Sequence, residues 1–439
     1  YLIALFAPGF DGAKADLSIH LLRIMFPYIV FVSIVAMLGG ALNTLKIFGT
    51  AALGQITMNL VLISGAVLAG YSDSNAANIL AWSVIVGGVV QVAVQLPFLS
   101  RAGIRLRLTS RMWTAPVRQT LILMLPAMLG AAVYQLTIVV NTMLASLLEP
   151  GSVSWLFYAD RLAQLPIGVF SIALATVLLP ALAKSVANSE HEQYHKNTVD
   201  ALRFTSFIIA PAACGLFALS DPLVRLIFER GEFTPYASVQ TSAALKAYCF
   251  GLWLLSCQTV LSRAFLARKD TVTPMLIGIV TLICNFIIAV ALIGQIGLTS
   301  AGWLTEIVRA IRSMLQSIPV LGQLIVVLDL KHAGLALASG LATVLSFGMY
   351  LYLAKRASPA MQLDLFVRAS IRSWLAGIVM LVAVQYVQSS CNSDLCGVLL
   401  GVGLGVVSYL GASLLLRSVE CKELLKMAKT TPLLRFGSG

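Results

Sequence analysis

Apolar residues along this chain run in unbroken stretches separated by short polar ones. Stretches long enough to cross a bilayer as a helix, about 20 residues each, are predicted near 21–42, 51–70, 79–98, 120–148, 152–183, 204–228, 240–266, 273–296, 333–354, 370–390 and 397–416. The opening residues, Tyr1 to Ala7, read as the end of one more helix whose start is missing. Inside lipid, backbone polar groups must be satisfied within the segment or within a closed sheet. Unbroken runs exclude the alternating pattern of a barrel. The predicted fold class is therefore an all-α polytopic membrane protein, with about eleven complete spans plus a partial one.

Charge changes this picture by giving the spans a direction. Arg101, Arg105, Arg107, Arg111 and Arg118 crowd one loop with no acid among them. Arg263, Arg268 and Lys269, then Lys355, Arg356, Arg368 and Arg372, and finally a tail with Arg417, Lys422, Lys426, Lys429 and Arg435, lie on the same side. The intervening loops hold little beyond Asp73, Glu149 and Asp394. Positive charge stays on the cytoplasmic face, which puts the tail inside and Cys391 and Cys396 outside. The composition agrees: 59% of residues are hydrophobic and 11% charged, against about 25% charged in soluble domains. The net charge of +12 belongs to these loops. No basic stretch is interleaved with stacking aromatics, so a nucleic-acid partner is not expected. Of the seven cysteines, Cys214, Cys249, Cys257 and Cys284 fall in spans and read as small hydrophobes. Cys391 and Cys396 share one polar loop, as a disulfide or as two free thiols.

A weak internal repeat runs beneath the hydropathy. Moving residues 10–51 forward so that Phe10 meets Phe233 also brings Leu22 onto Leu245, Ser33 onto Ser256, Ala41 onto Ala264 and Lys46 onto Lys269. Leu80 and Ala81 then match Leu335 and Ala336 only if about 32 extra residues lie within 297–331. That insertion is amphipathic around Glu306, Arg309 and Arg312 and reads as an interfacial helix or as a simple long loop. Repeats of this kind build transporters with the substrate site between two halves. The expected organisation is the remainder of an N-terminal lobe at 1–118, a C-terminal lobe at 119–356, and two extra helices with a basic tail at 357–439. The first copy of the repeat would begin roughly 100 residues before Tyr1.

Candidate chemistry is sparse and sits inside spans. Asp160 and Arg161 interrupt the apolar segment SWLFYADRLAQLPIGVF. A charge at mid-membrane costs at least about 2.5–3.5 kcal/mol and usually faces a cavity or a transport path. Arginine stays charged when buried and fits phosphate oxygens with its planar fork. A structural Asp–Arg pair, or a position near the membrane surface, is the competing reading. Gln164 follows one turn later on the same face, and Pro166 and Gly168 then bend or loosen the helix. Gln135, Asn141 and Thr142 line the preceding span, and Asn59 and Asn285 sit mid-span in repeat-related helices. Each either lines a cavity or joins two helices by a hydrogen bond. His191-Glu192-Gln193-Tyr194-His195 matches the zinc-protease H-E-x-x-H pattern. It lies in a polar linker with no third ligand in prospect, and it reads as a chance match in a solvated loop. Gly397, Gly401 and Gly405 allow close packing, expected between the last two spans, with dimerisation as the competing reading. No nucleotide-binding loop, nucleophile elbow or paired catalytic carboxylates in a soluble domain are found. Transport is therefore expected to draw on an ion gradient, the membrane potential or the substrate gradient, with no bound cofactor or metal.

The segments GSVSWLFYADRLAQLPIGVF, ALNTLKIFGTAALGQITMNL, FERGEFTPYA, ARKDTVTPMLIGIVTL and KHAGLALASGLA together resemble the lipid II flippase family, MurJ (MviN). The resemblance implies two pseudo-symmetric six-helix lobes plus two extra C-terminal helices, with this chain supplying the third through fourteenth. It implies a central cationic cavity for the pyrophosphate and sugar of lipid II, and a groove for the lipid tail at the last two helices. Asp160 and Arg161 match a functionally important pair of the family's eighth helix, and Ser154 falls near the outer gate. Gln164 stands where the family has an acid nearby. Several essential family residues belong to the first two helices and have no counterpart here. The resemblance, together with the polar residues found within the spans, makes the expected substrate-binding set Arg161, Asp160, Gln164, Asn141, Gln135, Ser154, Asn59 and Asn285. The implied activity moves the undecaprenyl-pyrophosphate-linked disaccharide-peptide to the periplasmic leaflet of the bacterial inner membrane by alternating access. It is transport rather than catalysis, with membrane lipids and cell-wall synthesis enzymes as further partners. A multidrug–cation antiporter or another polysaccharide-lipid exporter of the same superfamily is the alternative, although twelve-helix exporters lack the spans at 370–390 and 397–416. An intramembrane zinc protease and a non-transporting scaffold are the remaining alternatives.

Overall fold

The computed structural model describes residues 2–430 apart from 11, 46, 48, 73–74, 104–113, 295–302, 318–329 and 392. Arg105, Arg107, Arg111, Lys46, Asp73, Arg435 and much of the 297–331 insertion therefore lie outside the described residues. The elements are α1 Leu2–Phe6, α2 Gly12–Met25, α3 Tyr28–Thr44, α4 Gly49–Ala69, α5 Ala76–Arg101, α6 Ala115–Ser146, α7 Ser152–Pro166, a π-helical turn Ile167–Ser171, α8 Ile172–Ala187 and α9 His191–Ala218. They continue as α10 Ser220–Phe228, α11 Pro235–Ala267, α12 Val272–Leu292, α13 Trp303–Gln316, α14 Lys331–Ala357, α15 Leu363–Ser390, α16 Asp394–Leu415 and α17 Val419–Thr430. Among the described residues nine helical segments are long and apolar enough to cross a membrane, with α2 and α3 counted as one. The chain is an all-α polytopic membrane protein. Large apolar side chains such as Ile63, Val177, Leu399 and Val407 are exposed on these helices, as lipid-facing surfaces require.

The chain forms two compact units, Tyr1–Leu5 with Phe10–Thr120, and Phe6–Gly9 with Leu121–Gly439. In the first, α5 packs along α3 and α4. Gly88 on α5 lets the turn of Tyr28 and Phe31 approach, since a Cβ there would lie 2.9 Å from both side chains. Gln91 is buried between these helices, taking a hydrogen bond from the Tyr28 hydroxyl (3.4 Å) and giving one to the Gly54 carbonyl (3.1 Å).

In the second unit α11 is the central helix, packed by α14, α9, α7 and α8. Gly251 and Gly340 let α11 and α14 touch backbone to backbone; a Cβ on Gly251 would stand 2.6 Å from the Gly340 Cα. The last two spans, α15 and α16, pair with each other, and α15 also packs along α9. Gly397, Gly401 and Gly405 are buried, and a Cβ at Gly401 or Gly405 would meet Val384 of α15 at 3.4 or 3.2 Å. The glycine repeat thus joins these two helices to each other.

The internal repeat is visible in the element bounds. The shift that carries Phe10 to Phe233 carries Gly12–Thr44 onto Pro235–Ala267 and Gly49–Ala69 onto Val272–Leu292. Packing repeats too: α5 lies on α3 and α4, as α14 lies on α11 and α12. The first copy is interrupted at Phe26–Pro27, while α11 runs unbroken. Proline supplies no N–H and crowds the preceding turn, and the second copy has none there. The insertion between α12 and α14 contains α13, whose Leu304, Thr305 and Val308 are buried and whose Trp303, Ile307 and Met314 are exposed.

Two expectations need correction. The stretch 204–228 is two helices: α9 ends at Ala218 and the short α10 turns off at Leu219. Also, the His191–His195 pentad is no linker, because it forms the first turn of α9. Ser189, at φ 59°, reverses the chain tightly after α8, so the polar residues restart a helix at once. Tyr194 points inward and donates to the Ala264 carbonyl (2.9 Å). Among the described residues no three His, Cys, Asp or Glu side chains gather to hold a metal.

Candidate functional site

The site begins with a reversal. Gly151 caps α7 at φ 106°, a conformation reserved for glycine. A Cβ there would lie 2.5 Å from the Trp155 ring. Trp155 is buried and meets Tyr236 and His332 edge-on at 5.7 and 5.0 Å. One turn further, Tyr158 meets Phe228 and Phe233 at 4.9 and 5.3 Å. Polar contacts close this end: Tyr236 donates to Glu149 (3.1 Å), Lys331 lies 3.6 Å from the same carboxylate, and His332 Nε2 donates to the Gln240 carbonyl (2.9 Å). Aromatic packing therefore fixes how α7 is rotated.

That rotation decides what α7 exposes. Ala159, Leu162 and Ala163 face the core. Ser154, Phe157, Arg161 and Leu165 form one exposed stripe along the helix. The Arg161 guanidinium lies 4.6 Å over the Phe157 ring, a cation–π contact that leaves its N–H groups free to fork onto an anion. Asp160 and Gln164 flank the stripe, half-buried, with the Gln164 amide donating to the Asp160 carboxylate. No ion pair within 4.0 Å joins Asp160 to Arg161 among the described residues. Directly below, after Pro166, the helix widens into the π turn, a feature that recurs at functional sites. The loosening expected of Pro166 and Gly168 takes this form.

A second polar group lies among α6, α12 and α14. Asn141 Nδ2 donates to Ser339 Oγ (3.0 Å), Ser339 Oγ donates to Asn285 Oδ1 (3.1 Å), and Asn285 Nδ2 donates to Asn141 Oδ1 (2.9 Å). The three residues close a ring of hydrogen bonds, and Asn285 is 1% exposed. Of the two readings open for Asn141 and Asn285, this geometry is that of a helix clasp. Ser339 was not singled out in the sequence, where it sits in a run of small residues (ALASG) with nothing to mark it. Glu149, Tyr236 and His332 carry no joint signal in the sequence either, because their partners come from three separate helix ends. Gln135 is exposed nearer the N-terminal end of α6 than Asn141. Asn59 is exposed on α4 of the other unit, which carries an open groove of about 750 Å³ between α4 and α5, lined by Ser64, Gly65, Asn75, Trp82 and Ser83. Asn59 does not line it.

A family model described as lipid II flippase MurJ matches residues 1–317. The chain belongs to this family. A probable lipid II flippase MurJ of Rhizobium meliloti (strain 1021) is 36% identical over 315 residues, covering 69% of this chain and 59% of the relative. One of Vibrio cholerae is 38% identical over 285 residues, covering 64% and 53%. The match to one of Bdellovibrio bacteriovorus is 26% identical and covers 96% of this chain and 74% of that protein. The chain thus spans little more than half the length of the first two relatives. A solved structure titled lipid II flippase MurJ, inward closed conformation, shares the fold, with a TM-score of 0.73 at 24% identity over 97% of this chain and 78% of that one.

Proposed function

We propose that this chain is the greater part of a flippase that carries lipid II, the undecaprenyl-pyrophosphate-linked disaccharide-peptide, from the cytoplasmic to the periplasmic leaflet of a bacterial inner membrane. Family membership supports the substrate class. The observation that carries the site is Arg161, a permanent charge on the open stripe of α7 within the apolar stretch 152–183, held over Phe157 with no carboxylate within 4.0 Å among the described residues. Exposed directly to lipid, such a charge would be costly. A water-filled path that carries a phosphate-bearing headgroup accounts for it. Arg161 engages the pyrophosphate, while Asp160 and Gln164, joined by a hydrogen bond, hold the neighbouring face and orient it. Ser154, one helical turn from the Gly151 cap, lies where the headgroup leaves. Asn141 and Asn285 hold α6, α12 and α14 in register, and Gln135 and Asn59, each exposed on its own helix, are substrate-contacting residues. Rocking of two halves, driven by the membrane potential or an ion gradient, alternates access. The basic tail lies in the cytoplasm, and cell-wall synthesis enzymes receive the product.

The test is complementation with the full-length source gene in cells depleted of their own lipid II flippase. Growth together with externally accessible lipid II is the expected result. Arg161→Ala is expected to abolish it at normal membrane abundance, while Arg161→Lys, which keeps the charge but loses the fork, retains part. Normal wall synthesis with Arg161→Ala would sink the assignment.

A further inference from the structure

The geometry points to a reversible disulfide between Cys391 and Cys396 at the outer end of the α15–α16 hairpin, formed by exchange with a disulfide-bearing oxidant of the periplasm. The two sulfurs lie 3.6 Å apart, which side-chain rotation can close to bonding distance. Cys391 is the residue on which α15 ends, its backbone extended at φ −97° and ψ 132°. Cys396 lies in the first turn of α16, its N–H held by the Ser393 hydroxyl that caps the helix (3.3 Å). Both ends of the prospective bridge are thus held in place by helix ends, and both thiols are accessible: Cys391 is half-buried and Cys396 exposed. Of the remaining cysteines, Cys214, Cys249, Cys257 and Cys421 are buried. The charge pattern of the loops puts this end outside, where structural disulfides persist.

The chemistry balances as thiol–disulfide exchange. The Cys396 thiolate, the more exposed of the two, attacks one sulfur of the oxidant and expels the other as a thiolate. The Cys391 thiolate then attacks Cys396 Sγ in the mixed disulfide and releases the second oxidant sulfur. Two electrons pass from the pair to the oxidant, and the two protons lost by the cysteines end on its thiols. The bridge locks α15 to the first turn of α16. That turn also carries Asp394, whose carboxylate accepts from Nε and Nη2 along one edge of the Arg225 guanidinium from α10 (2.9 and 2.6 Å). One covalent bond and one bidentate ion pair would then fix the same turn.

The full chain is expressed in bacteria with an active periplasmic thiol-oxidising system. Membranes are quenched in acid, alkylated, reduced with dithiothreitol and alkylated again with a heavier reagent. Cys391 and Cys396 are expected to carry only the second label, and to carry the first when the sample is reduced beforehand. First label on both without reduction would overturn the proposal. Cys396→Ser and, separately, Cys391→Ser free the remaining thiol, which a membrane-impermeant maleimide is expected to reach on intact cells. Labelling only after the membrane is broken would put the loop in the cytoplasm and equally overturn it.

Discussion

At the scale of single residues, the chain separates polar groups that bond one another from those left facing outward. Arg161 could be picked out from sequence because a charge inside an apolar run is costly wherever it points. Its direction could not, because that is set by Trp155 and Tyr158 finding partners on elements distant along the chain. Asn141 and Asn285 were legible as polar mid-span residues. Their mutual bond was not, because Ser339, which closes the ring, has the most ordinary sequence surroundings of the three. The ring makes a quantitative prediction. Hydrogen bonds between membrane helices average about 0.6 kcal/mol and reach about 1.7. A double-mutant cycle on Asn141→Ala and Asn285→Ala, read by unfolding in mild detergent, is expected to return a coupling in that range. A coupling of zero would leave Asn141 and Asn285 energetically independent.

Helices and their contacts were the most legible level. Unbroken apolar runs locate the spans, and the repeat aligns their bounds, because both copies must bury similar faces at similar lengths. The failures fall at connections. The α9–α10 break and the helical His191–His195 turn depend on one or two residues, Leu219 and Ser189, whose backbone angles leave no hydropathy signal. At this scale the close contact of α11 and α14 is the sharpest test. Gly340→Leu forces a side chain into the backbone and aromatic ring of Gly251 and Phe250, and overpacking costs about 1–3 kcal/mol even where neighbours can yield. Backbone cannot yield, so the variant is expected to lose its monodisperse peak in detergent chromatography, while Gly348→Leu on the same helix, where a Cβ meets nothing, keeps it.

For the molecule as a whole, stability at acid pH is expected to follow the seat of the tail helix. Arg203 on α9 bridges Asp200 and Glu420 at 2.7 Å each, and the Glu420 side chain is 3% exposed. Burial pushes its carboxyl up, but hydrogen bonds from its own N–H, Ser418 and Arg203, with the guanidinium charge, outweigh it and hold the group below the usual glutamate range. The unfolded chain therefore binds this proton more readily, so the contribution is complete above the ordinary glutamate value of about 4.3 and fades as pH falls through the folded one. Removing one partner of a buried pair costs about 3–5 kcal/mol. Glu420→Gln is expected to undock α17, so that trypsin cuts at its already exposed lysines at neutral pH, and to flatten the acid limb of the melting-temperature curve. An unchanged acid limb would show that the tail does not report on the fold.

The π turn at 167–171 has a consequence for the phase of the helix that contains it. A seven-residue step from buried Ala163 lands on Phe170 and then Val177, which are 45% and 72% exposed; the buried residues are Ser171 and Leu178, each one place late. The helix thus keeps a single inward direction in space while its sequence slips by one residue, and the wide turn absorbs the slip. Deleting exposed Val169 is expected to restore a plain α-helix with α8 still correctly faced and the protein still folded. Inserting one residue there would double the mismatch, turn Leu178 and Leu182 away from the core, and is expected to abolish expression.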